Sequence, residues 1–235
     1  MEFGGLAAQS SIMKTASAAF FAANRRHDQA SVTDKKNLLA SCFSVLVLVF
    51  GCAGLQVGQD VQAGRNALQT GRPGDAVNFL ARAAAQDPDY VIPYRLRVSV
   101  LTYLGRAYYE TGKDGEARGA LEQALLRDKN DYLAHLYLGL TLLRSGDRNR
   151  GAEELRLGLQ GLYDWLEYIA SDSQSGPFWD PAGQIRGDIL KALALKPDSA
   201  ELVGLAQRIG SLVDEEIDRA RRDEARIRYG RGESS

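Results

Sequence analysis

Cysteine and histidine are almost missing from this chain. It has 235 residues but two cysteines, Cys42 and Cys52, and two histidines, His27 and His135. Both cysteines lie in an apolar N-terminal stretch, so no thiol lies beyond Cys52. A disulfide framework, a thiolate nucleophile further along and a cysteine-based zinc site are therefore excluded. The formal charge of −1 lacks the basic excess of nucleic-acid binders. There is no Gly-rich phosphate loop and no nucleophile elbow. His135 has no second histidine or thiol near it in sequence, and the carboxylates fall at helix starts and on charged faces. The chain is thus expected to be no enzyme and to hold no cofactor or metal.

With 45% hydrophobic and 25% charged residues, the composition is that of a globular protein. What stands out is a period. Leu104-Gly105 and Leu138-Gly139 are 34 residues apart, and Gly112 and Gly146 follow at a common offset. Each Leu-Gly is followed by a small, a large and a small residue: Ala117, Leu121, Ala124, then Gly151, Leu155, Gly158. An earlier unit repeats the pattern with Gly64, Gly71, Ala76, Leu80, Ala83 and Pro88. The glycines at 64, 105 and 139 permit close helix approach, with Leu80, Leu121 and Leu155 filling the space beside them. Gly71, Gly112 and Gly146 fall where a first helix ends. Asp75, Asp114 and Asp147 are placed to cap or favour the start of a second.

These three units resemble the tetratricopeptide repeat. The resemblance implies an all-α, right-handed superhelical solenoid of antiparallel helix pairs, about three units over residues 55–160, with capping helices over 161–231. It also implies a concave groove, lined by the first helix of each unit, that receives a peptide or helix of another protein. On that reading Ser99, Thr102, Arg106, Tyr109 and Glu110 face the groove from the second unit. Leu133, Leu136, Leu140, Leu143 and Arg144 face it from the third. Such a leucine row must be covered, either by the chain's own C-terminal helices or by a partner, or a second copy of the chain.

The first two units are 41 residues apart because Tyr90 to Arg97 add residues. Seven added residues are close to two helical turns, so the stretch can lengthen a helix without rotating its face, and Pro93 is well placed as a first helical residue. After the third unit, Ser171 to Pro181 reads as a loop and Asp180-Pro181 as a helix start. Within it, Phe178 and Trp179 are either an exposed aromatic anchor for a partner or a plug packed onto Trp165. A helix with Ile185, Ile189 and Leu193 on one face should follow. The last helix carries Leu202, Leu205, Ile209, Leu212, Val213 and Ile217. From Asp214 to Arg231 it holds six acids and six arginines. Pairs such as Glu215–Arg219 and Asp218–Arg222 would make that part an exposed helix.

The N-terminal segment reads as an address. Lys35 and Lys36 precede an uncharged stretch, residues 37–59, whose apolar core ends in Val49-Phe50-Gly51-Cys52. Residues 37–54 resemble a bacterial lipoprotein signal, which implies lipidation of Cys52. Phe50 departs from that pattern. The absence of Asp after Cys52 implies outer-membrane sorting by the same resemblance. The alternative is an uncleaved membrane anchor from Leu38 to Leu55. Either tethers the protein to a membrane of the cell envelope on its periplasmic side. Residues 1–36 are expected to contain the true start, at Met13 or Val32, or to be a disordered leader.

Overall fold

Two glycine-closed turns, at Gly71 and Gly112, set up the first two helix pairs, and Gly146 sets up the third. All three adopt left-handed backbone, with φ of +70°, +76° and +92°. A side chain would be strained there, which is why glycine ends the first helix of each pair. The computed structural model describes residues 55–172 and 174–232, with side chains to residue 227. The signal, anchor and Cys52 assignments fall on residues 1–54 and lie outside the described residues. Among the described residues the regular elements are all helical, and no helix is long and apolar enough to cross a membrane.

The helices are α1 (residues 55–69), α2 (Pro73–Gln86), α3 (Val100–Glu110), α4 (Asp114–Arg127), α5 (Tyr132–Arg144), α6 (Arg148–Ala170), α7 (Gln184–Ala194) and α8 (Ala200–Gly232). A 3₁₀ turn spans Gly176–Phe178. Each helix from α2 to α5 packs on the next, and α3 also packs on α5. That is the order of a stacked helix-pair repeat. The boundary expected at residue 160 falls inside α6, which runs unbroken for 23 residues.

The small-large-small pattern does what its spacing implies. A Cβ on Gly64 would come within 2.5 Å of Leu80, and one on Gly105 within 2.4 Å of Leu121. Both leucines are fully buried. The third pair is tighter. A Cβ on Gly139 would meet the Leu155 backbone nitrogen at 2.5 Å, and one on Gly158 the Leu136 nitrogen at 2.5 Å. Here backbone meets backbone.

Two local expectations are corrected and a third is narrowed. The added residues between the first two units form a loop, not extra helical turns. Ile92 N–H donates to the Val98 carbonyl (3.0 Å) and Val100 N–H to the Tyr90 carbonyl (2.9 Å). That closes the loop on itself and buries Ile92, Leu96 and Val98. β-Branched residues at both ends favour such extended pairing over helix. Pro93 therefore starts no helix. Asp75, Asp114 and Asp147 make no side-chain cap; Asp75 and Asp114 lie in first turns, where a negative charge favours the helix dipole. α7 begins at Gln184, later than Asp180-Pro181. Asp180 still serves its start, because its carboxylate accepts the Ile185 and Arg186 N–H groups, each at 3.0 Å.

Asp131 ties two repeats together. Its carboxylate accepts from Ala134 N–H at the start of α5, and from Ser99 N–H (3.1 Å) and the Thr102 hydroxyl (2.5 Å) at the start of α3. Burial pushes the Asp131 carboxyl above its usual range, against the pull of those three hydrogen bonds.

Candidate groove and its occupant

The face of α3 and α5 that the repeat pattern assigns to a groove is covered by α8. This helix is amphipathic, with Leu202, Leu205, Ala206, Ile209, Val213, Ile217 and Ala220 buried along one stripe. Its partners are α5, α7, the 3₁₀ turn, and side chains of α1 and α3. Of the possible covers for the leucine-bearing helix, the chain supplies one itself, since α8 packs on α5.

At the centre lies a charge that sequence reasoning assigned to an exposed helix. Asp214 is wholly buried, and Arg65 of α1, 1% exposed, lies against it. Arg65 Nη2 and Nε donate to Asp214 Oδ1 at 2.6 and 2.9 Å. The Tyr103 hydroxyl donates to the same oxygen at 2.8 Å. Oδ2 accepts from Gln69 Nε2 at 3.1 Å and from Arg106 Nη1 at 3.5 Å. Asp218, one turn on, takes Arg65 Nη1 (2.9 Å) and Gln69 (3.0 Å). A carboxylate removed from water is stable only when so matched.

The electrostatics follow from that burial. Burial alone would lower the Arg65 and Arg106 guanidinium values, but the neighbouring tyrosine and acid groups outweigh it and raise both. Burial pushes the Tyr103 phenol well up, reinforced by Asp214. Burial also raises Tyr137, with Arg106 opposing. Both guanidiniums sit over rings: Arg65 5.3 Å from the Tyr103 centroid, Arg106 5.4 Å from that of Tyr137.

The residues expected to line the groove have these places. Arg106 is buried, bonded to Glu110 at 2.7 Å as well as to Asp214. Tyr109 is buried, its hydroxyl accepting from Gln207 of α8 at 2.7 Å. Thr102 serves Asp131 and is closed to any ligand. Leu133, Leu136 and Leu140 are buried, and Leu143 half-buried. Arg144 is exposed, pairs with Asp114 and donates to the Tyr109 carbonyl at 2.6 Å. Thr102, Arg106, Tyr109, Leu133, Leu136 and Leu140 are all buried within the chain; Arg106 and Tyr109 meet α8 directly, while Leu136 lies against Gly158 of α6.

Trp179 is a plug. It is 1% exposed, edge-on to Trp165 at 4.7 Å and stacked on Tyr94 at 5.6 Å. Phe178 is half-buried beside it, and its carbonyl accepts from Arg219 at 2.8 Å. An exposed aromatic anchor is not present here. His135 is bonded to Glu154 Oε2 at 2.6 Å and to the Lys129 carbonyl at 3.0 Å. Among the described residues no group of three His, Cys, Asp or Glu side chains could hold a metal ion.

Sequence reasoning missed Arg65, Gln69, Tyr137 and Asp214. A signal was present: Arg65 interrupts the Val61–Leu68 stripe of α1, and Asp214 falls between Gly210 and Ile217 on the buried stripe of α8. A charge inside an apolar stripe marks a buried partner. The i,i+4 pairs expected for α8 also differ. Arg219 bonds Glu216 and Asp223, while Asp218 turns inward to Arg65.

Among curated proteins none matches the chain. Residues 67–138, from the end of α1 to the middle of α5, match the family model of the tetratricopeptide repeat.

Proposed function

We propose that the protein is a membrane-tethered interaction module of the bacterial cell envelope, an adaptor or assembly factor that engages another protein through its helical repeat. The repeat is of a type that commonly binds proteins. The observation that carries the reading is the groove itself: α3 and α5 receive an amphipathic helix through both apolar and charge-matched contacts. The tether rests on the sequence of residues 37–54, where Lys35-Lys36 and the apolar core lead to Cys52.

Two measurements test it. Radiolabelled palmitate should enter the full-length chain in a bacterial host and be lost in Cys52→Ala. Label retained in that variant, or no label in either with the chain in the soluble fraction, would overturn the tether. Cross-linking in native cells should join residues of the α3–α5 surface to a second protein. Cross-links confined to the chain itself would contradict the adaptor role.

A further inference from the structure

Four donors from two helices converge on one carboxylate in the groove: Arg65 and Gln69 of α1, Tyr103 and Arg106 of α3. All four belong to the repeat side, and the carboxylate belongs to α8. If α8 left, Arg65 and Arg106 would remain in the groove with Glu110 as the one acid that the repeat side places on them. A groove with two such guanidiniums favours an occupant that brings an acid to the same point. We propose that this polar floor is a recognition site for a side-chain carboxylate on an amphipathic helix, held in cis by Asp214 and yielded to a partner helix of matching pattern. The inference deepens the adaptor reading above and rests on it.

The docked helix gives the pattern the partner must satisfy. Around Asp214 it reads Ile209-Gly210-x-x-Val213-Asp214-x-x-Ile217-Asp218. Ile209, Val213 and Ile217 are buried. The residue four before the acid must be small, because a Cβ on Gly210 would come within 2.5 Å of the Tyr137 hydroxyl. A second acid four residues after the first meets Arg65 and Gln69. The partner is thus an acidic amphipathic helix with a small residue one turn before its central Asp or Glu. Residues 195–199, with Pro197, form the short non-helical connection that joins α7 to α8. Its other ties run to α5 and α7, to Tyr109 through Gln207 and to Arg106 through Ser211, and to the 3₁₀ region, where Arg219 bonds the Phe178 carbonyl and Glu216 accepts from Asp180 N–H. Because α8 occupies the site, a trans helix binds with an affinity reduced by the fraction of molecules in which α8 is docked.

The test uses the full chain and a labelled synthetic peptide of residues 200–227 as the trans helix. Replacing Asp214 and Asp218 together by Asn in the protein loosens the cis clasp and keeps side-chain shape. The parent peptide should bind that variant at least tenfold more tightly than it binds wild type. A peptide carrying Asp214→Asn should lose at least tenfold on the same variant. Absence of binding to the folded variant, or equal binding of both peptides, overturns the proposal. Should the variant fail to fold, hydrogen exchange on wild type decides. Amides of residues 202–220 should exchange at least tenfold faster than those of α3 and α5, by opening of α8 alone. Equal protection means that α8 leaves only on global unfolding, and the proposal falls. Cross-linking of the α3–α5 surface to a second protein is read independently of either outcome, so failure here is separable from failure of the adaptor reading.

Discussion

Asp214 and Arg65 are 149 residues apart in the chain and 2.6 Å apart in space. Their contact fastens the last helix to the first described one, across the groove of the repeat. The pair is closed to water on both sides, so the consequence of breaking it is asymmetric. Asp214→Ala leaves Arg65 and Arg106 buried with reduced compensation and should cost about 3–5 kcal/mol. Asp214→Asn keeps the shape and some hydrogen bonds and should cost less. Urea denaturation followed by circular dichroism measures both; a cost below about 1 kcal/mol for the alanine variant would contradict the burial of this pair.

Three glycines should respond in three different ways to alanine. At Gly139 the new methyl meets the backbone of α6, which cannot step aside, so overpacking of about 2–3 kcal/mol is expected. At Gly105 it meets the Leu121 side chain, which can shift, and the cost should be smaller. At Gly119, inside α4, nothing lies within 4 Å of the new atom. There alanine should stabilise by roughly 0.5–1 kcal/mol through helix propensity alone. Melting curves of the three single variants test the ranking.

The fold was legible where local spacing carries the physics. Gly105 and Leu121 can be paired by counting, because close helix approach needs a small residue opposite a large one. Gly112 and Gly146 are legible for a related reason, since a left-handed cap selects glycine. The loop before α3 was not, since seven residues equal two helical turns, and only the β-branched Val91, Ile92, Val98 and Val100 argue against helix. The site was less legible still. Thr102 and Arg106 were placed on one face by repeat logic, yet Thr102 turns to Asp131 while Arg106 turns to α8. Which acid meets Arg65 is a fact of long-range packing, and no local pattern encodes it.

Alkaline pH should loosen the groove. The Tyr103 and Tyr137 phenols are raised above the ordinary value of about 10 by burial. Above pH 10 the unfolded chain releases these protons while the folded chain keeps them. The stability they contribute is therefore complete below pH 10 and is lost as pH rises toward the folded values. Absorbance titration at the tyrosinate band should show a subset of the ten tyrosines ionising only with unfolding. Titration of all ten as exposed phenols would contradict this.

Trp179 closes the far end of the core against Trp165 and Tyr94. Trp179→Ala should destabilise by about 3–5 kcal/mol, as for other large-to-small core changes. Thermal melting tests this; a variant with wild-type stability would mean that Trp179 is an exposed anchor instead.

α8 lies in the groove with Asp214 on Arg65, and a double-mutant cycle reads that contact most directly. Arg65→Met and Asp214→Leu are measured singly and together by urea denaturation. The double variant should be more stable than the sum of the single losses implies, with a coupling of about 1–3 kcal/mol. Additive losses, within about 0.5 kcal/mol, would mean that the two residues do not meet and that α8 does not close the groove.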